Sequence, residues 1–434
     1  MGILSRKAAF LTLGCRVNQY ESEALSEALV ALGYAPAAFS DKCDLYVINT
    51  CAVTEESVRK SRQMVRRAIK RNPEAMVCVC GCAAQLEPDT FVGIEGVSFV
   101  CGTRNKEELI EAVRRQAGKT VSVKPPEGAL SPTRITRFDR TRAYVKIQDG
   151  CDGKCAYCVI PSVRGGIVLR PEEEIVSEVK ALAHGGCHEV VLTGIETASY
   201  GKGLVGLIKK IATIDGIERI RMGSLEPSFL KPAFVDAIAA IPKVCPHFHV
   251  SVQNGSDAVL RRMRRKYNAA MLEQHLAYIR KVMPQVNFSA DVIVGFPGET
   301  EEDFAASCEV LKRIGFLHLH IFTYSKRPGT EAAVMPDQVE ESVKTDRLHR
   351  LEAMADAMKA ARLHELIAAG ESLTVLAETV SGGYLMGHTE SFVECGIELA
   401  GDVCAEGLKG AFLNVMPVRV ENGILICRIM ESKK

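Results

Sequence analysis

Apolar residues in the first third of the chain fall into short unbroken blocks at 8–13, 45–49, 76–80 and 97–100. Between the blocks lie stretches with apolar positions at helical spacing, 21–32, 55–71 and 106–117. Strands without polar alternation are covered on both faces, so strands alternating with helices predict a doubly wound parallel sheet. A second series follows, with strand blocks at 143–147, 189–193, 219–222, 248–252, 289–294 and 318–323 and a helix from Pro171 to about 184. Six βα units are too few to close an eight-stranded barrel, which predicts an open, partial (β/α)6 barrel with its sites at the carboxyl ends of the strands. A long amphipathic stretch, 340–369, ends at Gly370 and reads as core packing plus a connector. Beyond it, strand-like runs at 373–377, 415–418 and 424–429, with turns at Gly382-Gly383 and Asn422-Gly423, predict a small β-barrel. The expected units are 1–127, 135–369 and 371–434, and Lys124-Pro125-Pro126-Glu127-Gly128 reads as a linker.

Composition narrows the class. With 47% hydrophobic and 25% charged residues the chain is an ordinary soluble globular protein, and a net charge of +1 leaves no global field for a polyanion. Any basic footprint is local. Arg59, Lys60, Arg62, Arg66, Arg67, Lys70 and Arg71 crowd one helix with no acid among them, and Arg261, Arg262, Arg264, Arg265 and Lys266 form a second group. Each is either a solvated helix face or a contact for RNA phosphates. The terminal unit has five basic residues against nine acidic, a net of −4, which makes it a poor general phosphate binder. No apolar run approaches the roughly eighteen residues of a membrane span and the start has no apolar signal core, so a cytoplasmic protein with no membrane partner is expected.

Sixteen cysteines change the picture most. Several are bunched at metal-ligand spacing, which points to a reducing compartment and metal–sulfur chemistry rather than disulfides. Cys151, Cys155 and Cys158 stand in one loop after the strand at 143–147. Three such thiolates hold three corners of an iron–sulfur cube and leave the fourth iron open. Zinc needs a fourth ligand, and Cys187 is too distant in sequence to complete a compact knuckle. In the first unit Cys15, Cys51 and Cys82 each follow a strand, 36 and 31 residues apart, about one βαβ unit each time. Cys43, Cys78 and Cys80 read as small core residues. Cys101 also follows a strand block, and position alone leaves it open. His247, His249, His318 and His320 read as ordinary packed or solvated histidines.

The Cys-x3-Cys-x2-Cys loop resembles that of the radical S-adenosylmethionine enzymes. Gly14-Cys15-Arg16-Val17-Asn18-Gln19, Asn49-Thr50-Cys51-Ala52 and Gly81-Cys82-Ala83-Ala84 are similar to the three cysteine motifs of the methylthiotransferase family, and the likeness spans the whole chain. Cys101 matches no motif. The resemblance implies two [4Fe-4S] clusters, one on Cys151, Cys155 and Cys158 and one on Cys15, Cys51 and Cys82. It implies S-adenosylmethionine as cofactor, held near Thr193, Gly194, Glu196, Arg221, Ser224, Gln253 and Val294 at or near the strand ends. Asn254, and Leu169 before Arg170, depart from the family's usual residues at those points. One S-adenosylmethionine would donate a methyl group and a second would yield the radical that abstracts hydrogen from an unactivated carbon. The terminal barrel looks like a TRAM domain.

The motifs around Cys15 and Arg59 look most like the subfamily that acts on N6-threonylcarbamoyladenosine beside the anticodon of tRNA. The expected partners are therefore the tRNA anticodon loop and a small reductant protein such as flavodoxin or ferredoxin. Isopentenyladenosine of tRNA, an aspartate of a ribosomal protein, and a purely RNA-binding iron–sulfur scaffold are the alternatives.

Overall fold

The computed structural model of the chain describes residues 6–116, 118–130, 133–138, 141–399 and 405–430. Residues 1–5, Ala117, Asp402, Glu431, Lys433 and Lys434, which enter the expectations above, lie outside that set. The first unit is a parallel sheet of six strands in the order Tyr34–Ala37, Arg6–Thr12, Leu45–Thr50, Met76–Gly81, Phe99–Cys101 and Thr120–Ser122. All six residues of Leu45–Thr50 are buried, as an unbroken apolar block requires at the sheet centre. The two outermost strands escaped the sequence pattern because both are largely uncovered, and the first carries Pro36, which only an edge strand tolerates. The chain leaves Arg6–Thr12 toward one side of the sheet and continues on the other at Leu45–Thr50, so the topological switch lies between these strands.

Two boundaries shift with consequence. The first helix is Arg16–Ala31, capped by Cys15, and so begins at the cysteine itself rather than near residue 21. The expected strand at 97–100 is Phe99–Cys101, which puts Cys101 inside the sheet and fully buried. Its thiol pairs with that of Cys80, and this contact with burial pushes it well up. Cys101 is a core residue.

In the second unit the strands Arg142–Lys146, Glu189–Thr193 and Arg219–Met222 form one parallel sheet. His247–Gln253, Asn287–Val294 and His318–Thr323 form another with the short strand Ser224–Leu225. A bridge at Ile220 and Val244 joins them. Among the described residues the outer strands 142–146 and 318–323 do not pair, so the barrel is open. Residues alternate across it. Ala143, Val145, Val190, Leu192, Phe248, Val250, Ala290 and Val292 enter the helix-facing core, leaving Tyr144, Lys146, Glu189, Arg221, His247, His249 and Asp291 on the interior.

Helix Glu341–Ala369 ends at Gly370, whose φ of +65° is a left-handed cap that favours glycine. The five strands that follow, from Leu373–Ser381 to Ile424–Ile429, close into a barrel. It seats against the amino ends of the second unit's strands. Arg219 donates to the Thr374 carbonyl (2.7 Å), Asn287 to the Ser391 carbonyl (3.1 Å), and Arg142 pairs with Glu378. The Phe392 ring stacks on His247 and His388, with centroids 4.7 and 4.6 Å away. The terminal barrel therefore plugs the end of the partial barrel opposite to the cysteine loop, and one of its acids, Glu378, serves Arg142 of the second unit and its own His388.

Candidate iron–sulfur and nucleic-acid site

Cys15 caps the first helix, Cys51 follows strand Leu45–Thr50, and Cys82 opens the short helix Cys82–Leu86, so the three gather at the carboxyl edge beside the switch. Two glycines make the crowding possible. Gly14 (φ +100°) lies where a Cβ would come within 2.9 Å of Cys51 Cβ, and Gly81 (φ +97°) where it would meet the Thr50 carbonyl at 2.7 Å. Cys51 and Cys82 are buried, Cys15 is exposed, and Cys15 is close enough for its charge to oppose the ionisation of both others. Burial pushes the Cys82 thiol up to about 12, with Arg164 acting against it.

The second triplet lies in the loop after Gln148–Asp149. The Gly153 N–H donates to Cys151 Sγ (3.2 Å), the Ile160 N–H to Cys158 Sγ (3.4 Å) and Arg265 Nη1 to Cys155 Sγ (3.2 Å). Burial raises the thiol of Cys151, and that of Cys158 to about 12. Among the described residues no three Cys, His, Asp or Glu side chains converge on a single ion. In a polynuclear group each cysteine would have its own iron, and positive iron would offset the cost of buried thiolate.

A buried charge network that sequence reasoning missed lies beside the first triplet and ties the two units together. Arg164 is fully buried and donates from Nε to Cys82 Sγ (3.3 Å), from Nη1 to Asp149 Oδ1 (2.9 Å) and Glu21 Oε1 (3.0 Å), and from Nη2 to Asn18 Oδ1 (2.5 Å). Lys146 bridges Glu21 (2.8 Å) and Asp149 (2.7 Å), and Lys106 pairs with Glu21. Burial would push both carboxyls up, but Arg164 and the lysines hold Glu21 well below the usual range and Asp149 at about 2. The signal was present: Lys146 and Asp149 interrupt an apolar strand, and Arg164 follows the cysteine loop within a mostly uncharged run.

The expected cofactor contacts divide. Thr193, Gly194, Glu196, Ser224 and Gln253 stand at or just beyond strand ends on the cysteine-loop side. A Cβ on Gly194 would sit 2.7 Å from Gln148 Oε1, so backbone approaches closely there, and Gln253 has φ +60°. Burial, then Glu226, pushes the Glu196 carboxyl up to about 7, and its Oε1 is buried with no hydrogen-bond partner. Two of the expected contacts have other partners within the fold. Arg221 donates to Glu189 Oε1 (3.0 Å) and the Glu390 carbonyl (3.0 Å) and lies over the Phe392 ring at 4.7 Å, so it clasps the terminal barrel. Val294 turns its side chain into the helix-facing core, and its carbonyl accepts from the Tyr324 N–H (2.8 Å).

The second basic group is not a free phosphate patch either. Arg262 pairs with Asp303 (3.0 Å), Arg264 with Glu331 (2.7 Å) and Arg265 with Glu226 (3.3 Å). The helix Glu55–Arg71 behaves differently. It buries Val58, Ser61, Val65 and Ala68 on one face and starts beside the first triplet, where the Glu55 N–H donates to Ser325 Oγ (3.0 Å). Arg59 and Lys60 pair with Glu56, whereas Arg62, Arg66, Arg67 and Lys70 make no ion pair among the described residues and line a surface hollow of ≈ 640 Å³. Of the four histidines on these strands, burial lowers His247 well below its usual value and His320 to about 4, so these two are neutral near pH 7.

Comparison with known proteins fits this geometry. The Radical SAM superfamily matches residues 145–311 and the family described as "Uncharacterized protein family UPF0004" matches 7–102. A solved radical S-adenosylmethionine methyltransferase, TsrM from Kitasatospora setae, shares the fold with a TM-score of 0.56 at 17% identity, covering 76% of this chain and 77% of that one. Fold and cysteine loop thus define a radical S-adenosylmethionine protein. The threonylcarbamoyladenosine tRNA methylthiotransferase MtaB of Bacillus subtilis (strain 168) is 38% identical over 403 residues, 89% of each chain. The tRNA-2-methylthio-N(6)-dimethylallyladenosine synthase of Syntrophotalea carbinolica is 34% identical, covering 87% of this chain and 90% of that one. The chain belongs to the tRNA methylthiotransferase family.

Proposed function

We propose that the chain is a radical S-adenosylmethionine methylthiotransferase that converts N6-threonylcarbamoyladenosine beside the anticodon of tRNA to its 2-methylthio derivative. The observation that carries this reading is the pair of cysteine triplets on separate units, with the buried Arg164, six residues beyond Cys158 in the chain, donating to Cys82 of the other unit. The target carbon has no leaving group and no acidic proton, so acid–base catalysis does not reach it. Cys151, Cys155 and Cys158 would hold one [4Fe-4S] cluster with an iron open to the amino and carboxylate groups of S-adenosylmethionine; Cys15, Cys51 and Cys82 would hold a second. When bound, these groups supply one-electron cleavage of the sulfonium at the first site and the sulfur donor at the second.

The chain's own residues position and insulate. Arg265 and the Gly153 and Ile160 N–H groups donate to the three loop sulfurs, which stabilises their negative charge. Glu196 would accept an N–H of the cofactor's amino group, and the nearby iron and sulfonium charges would favour its carboxylate form. Glu196→Gln is expected to weaken S-adenosylmethionine binding roughly tenfold or more, because a charge-assisted hydrogen bond becomes a neutral one; equilibrium dialysis on the reconstituted protein checks this. Arg62, Arg66, Arg67 and Lys70 supply phosphate contacts. Changing Arg62 and Arg66 together to alanine should lower the slope of log affinity against log salt by about two, one per lost phosphate contact, with little effect on S-adenosylmethionine cleavage. A small protein such as flavodoxin or ferredoxin would deliver the electron, and a tRNA substrate places the protein in the cytoplasm.

The test is mass spectrometry of tRNA nucleosides from cells lacking the chain. Loss of the 2-methylthio derivative with threonylcarbamoyladenosine retained supports the reading. Loss of the isopentenyl derivative, or unchanged tRNA with an unmodified ribosomal protein, contradicts it.

A further inference from the structure

Resting on the function just proposed, we infer that Arg16 binds the carboxylate of the threonylcarbamoyl group and so selects that nucleoside over one with an uncharged N6 substituent. Arg16 is the residue after Cys15 and the first of its helix, so its place beside the first triplet is fixed by the backbone. The helix it opens packs against the strand Arg142–Lys146 of the partial barrel, and Arg16 is partly buried there, with Tyr144, Arg221, Arg142 and Asp291 as the ionisable groups that act on its guanidinium. Protein encloses most of it, yet it makes no hydrogen bond or ion pair among the described residues.

That isolation sets it apart from every neighbouring cation. Arg142 is neutralised by Glu189 (2.9 Å) and Glu378, and Arg221 by Glu189 (3.0 Å). Asp291 attracts Arg16, but it is hydrogen-bonded to His249 Nε2 (3.1 Å) and makes no ion pair with Arg16. A partly buried guanidinium whose hydrogen-bond donors have no partner among the described residues suits an anionic ligand that accepts from them. Its planar fork matches a carboxylate in two parallel hydrogen bonds. The threonyl part of the modified base carries a carboxylate; a dimethylallyl group offers only hydrocarbon. C2 and N6 flank the same edge of adenine, so a base with its C2 carbon turned to the triplet at Cys15 brings its N6 substituent toward the neighbouring residue, Arg16.

The experiment uses the full reconstituted chain and three anticodon stem-loops, carrying threonylcarbamoyladenosine, its threonyl methyl ester, and unmodified adenosine. Binding is measured directly by fluorescence anisotropy, without turnover. The unaltered protein should bind the acid roughly ten- to a hundredfold more tightly than the ester, the span of a charge-assisted pair in an enclosed site. Arg16→Gln should bring acid and ester together with the ester's affinity unchanged, and Arg16→Lys should restore part of the difference. Iron content and thermal melting of each variant report that the fold and clusters are intact. An Arg16→Gln protein that folds, holds iron and still prefers the acid overturns the assignment of Arg16 alone. If the unaltered protein does not distinguish threonylcarbamoyladenosine from plain adenosine, the substrate reading fails and this inference fails with it.

Discussion

Replacing Cys151, Cys155 and Cys158 together with alanine should leave about half of the iron of the reconstituted protein and abolish formation of 5′-deoxyadenosine. The reason lies in the separation of the triplets. Each stands on its own loops, at Gly14–Arg16, Cys51–Ala52 and Gly81–Cys82 in the first unit and at Cys151–Cys158 in the second, so one group can be lost while the other remains. The complementary variant, with Cys15, Cys51 and Cys82 replaced, should also keep about half of the iron. It should still cleave S-adenosylmethionine and yet make no thiomethylated nucleoside. Retained product in that variant contradicts the assignment of the first triplet.

Arg164→Met should destabilise the protein by about 3–5 kcal/mol, as expected when one member of a buried ion network is removed and the others are left uncompensated. Methionine conserves much of the volume, so the loss reports charge rather than a cavity. Glu21 and Asp149 have almost no exposed side-chain surface, at 4% and 0%, so water cannot replace the guanidinium. Arg164→Lys should recover only part, because an ammonium cannot span Cys82, Asp149, Glu21 and Asn18 at once. Urea denaturation of the iron-free chain measures the effect apart from cluster assembly. A change below about 0.5 kcal/mol, the size of an ordinary surface substitution, would contradict it. The cluster side of the claim has its own readout: the variant should assemble iron at Cys151, Cys155 and Cys158 more completely than at the triplet containing Cys82.

How far the sequence alone reached follows from the kind of contact each feature needs. Leu45–Thr50 and Met76–Gly81 were legible because a strand covered on both faces has no choice but to be apolar throughout. Tyr34–Ala37 and Thr120–Ser122 were hidden because an edge strand is held by backbone hydrogen bonds, which leave little mark on side-chain pattern. The cysteines were legible through spacing. The partners of Arg221 in the terminal barrel, Glu390 and Phe392, were hidden because they lie some 170 residues away along the chain. The same non-local pairing hid the network of Glu21, Lys106, Lys146, Asp149 and Arg164. Arg265 was read with its cationic neighbours, whereas the fold turns it to Cys155 and leaves Arg261 exposed.

The central claim is that two open iron–sulfur groups, carried by different units, face one cavity and serve one reaction. Electron paramagnetic resonance of the fully reduced, reconstituted protein tests it most directly, against the two triple-cysteine variants that each retain one group. The spectrum of the intact protein should depart from the sum of the two variant spectra, with broadening or splitting from spin–spin interaction across the space bridged by Cys82, Arg164 and Asp149. A spectrum equal to that sum, with both groups present at full iron, would place them too far apart to act on one nucleoside and would contradict the account.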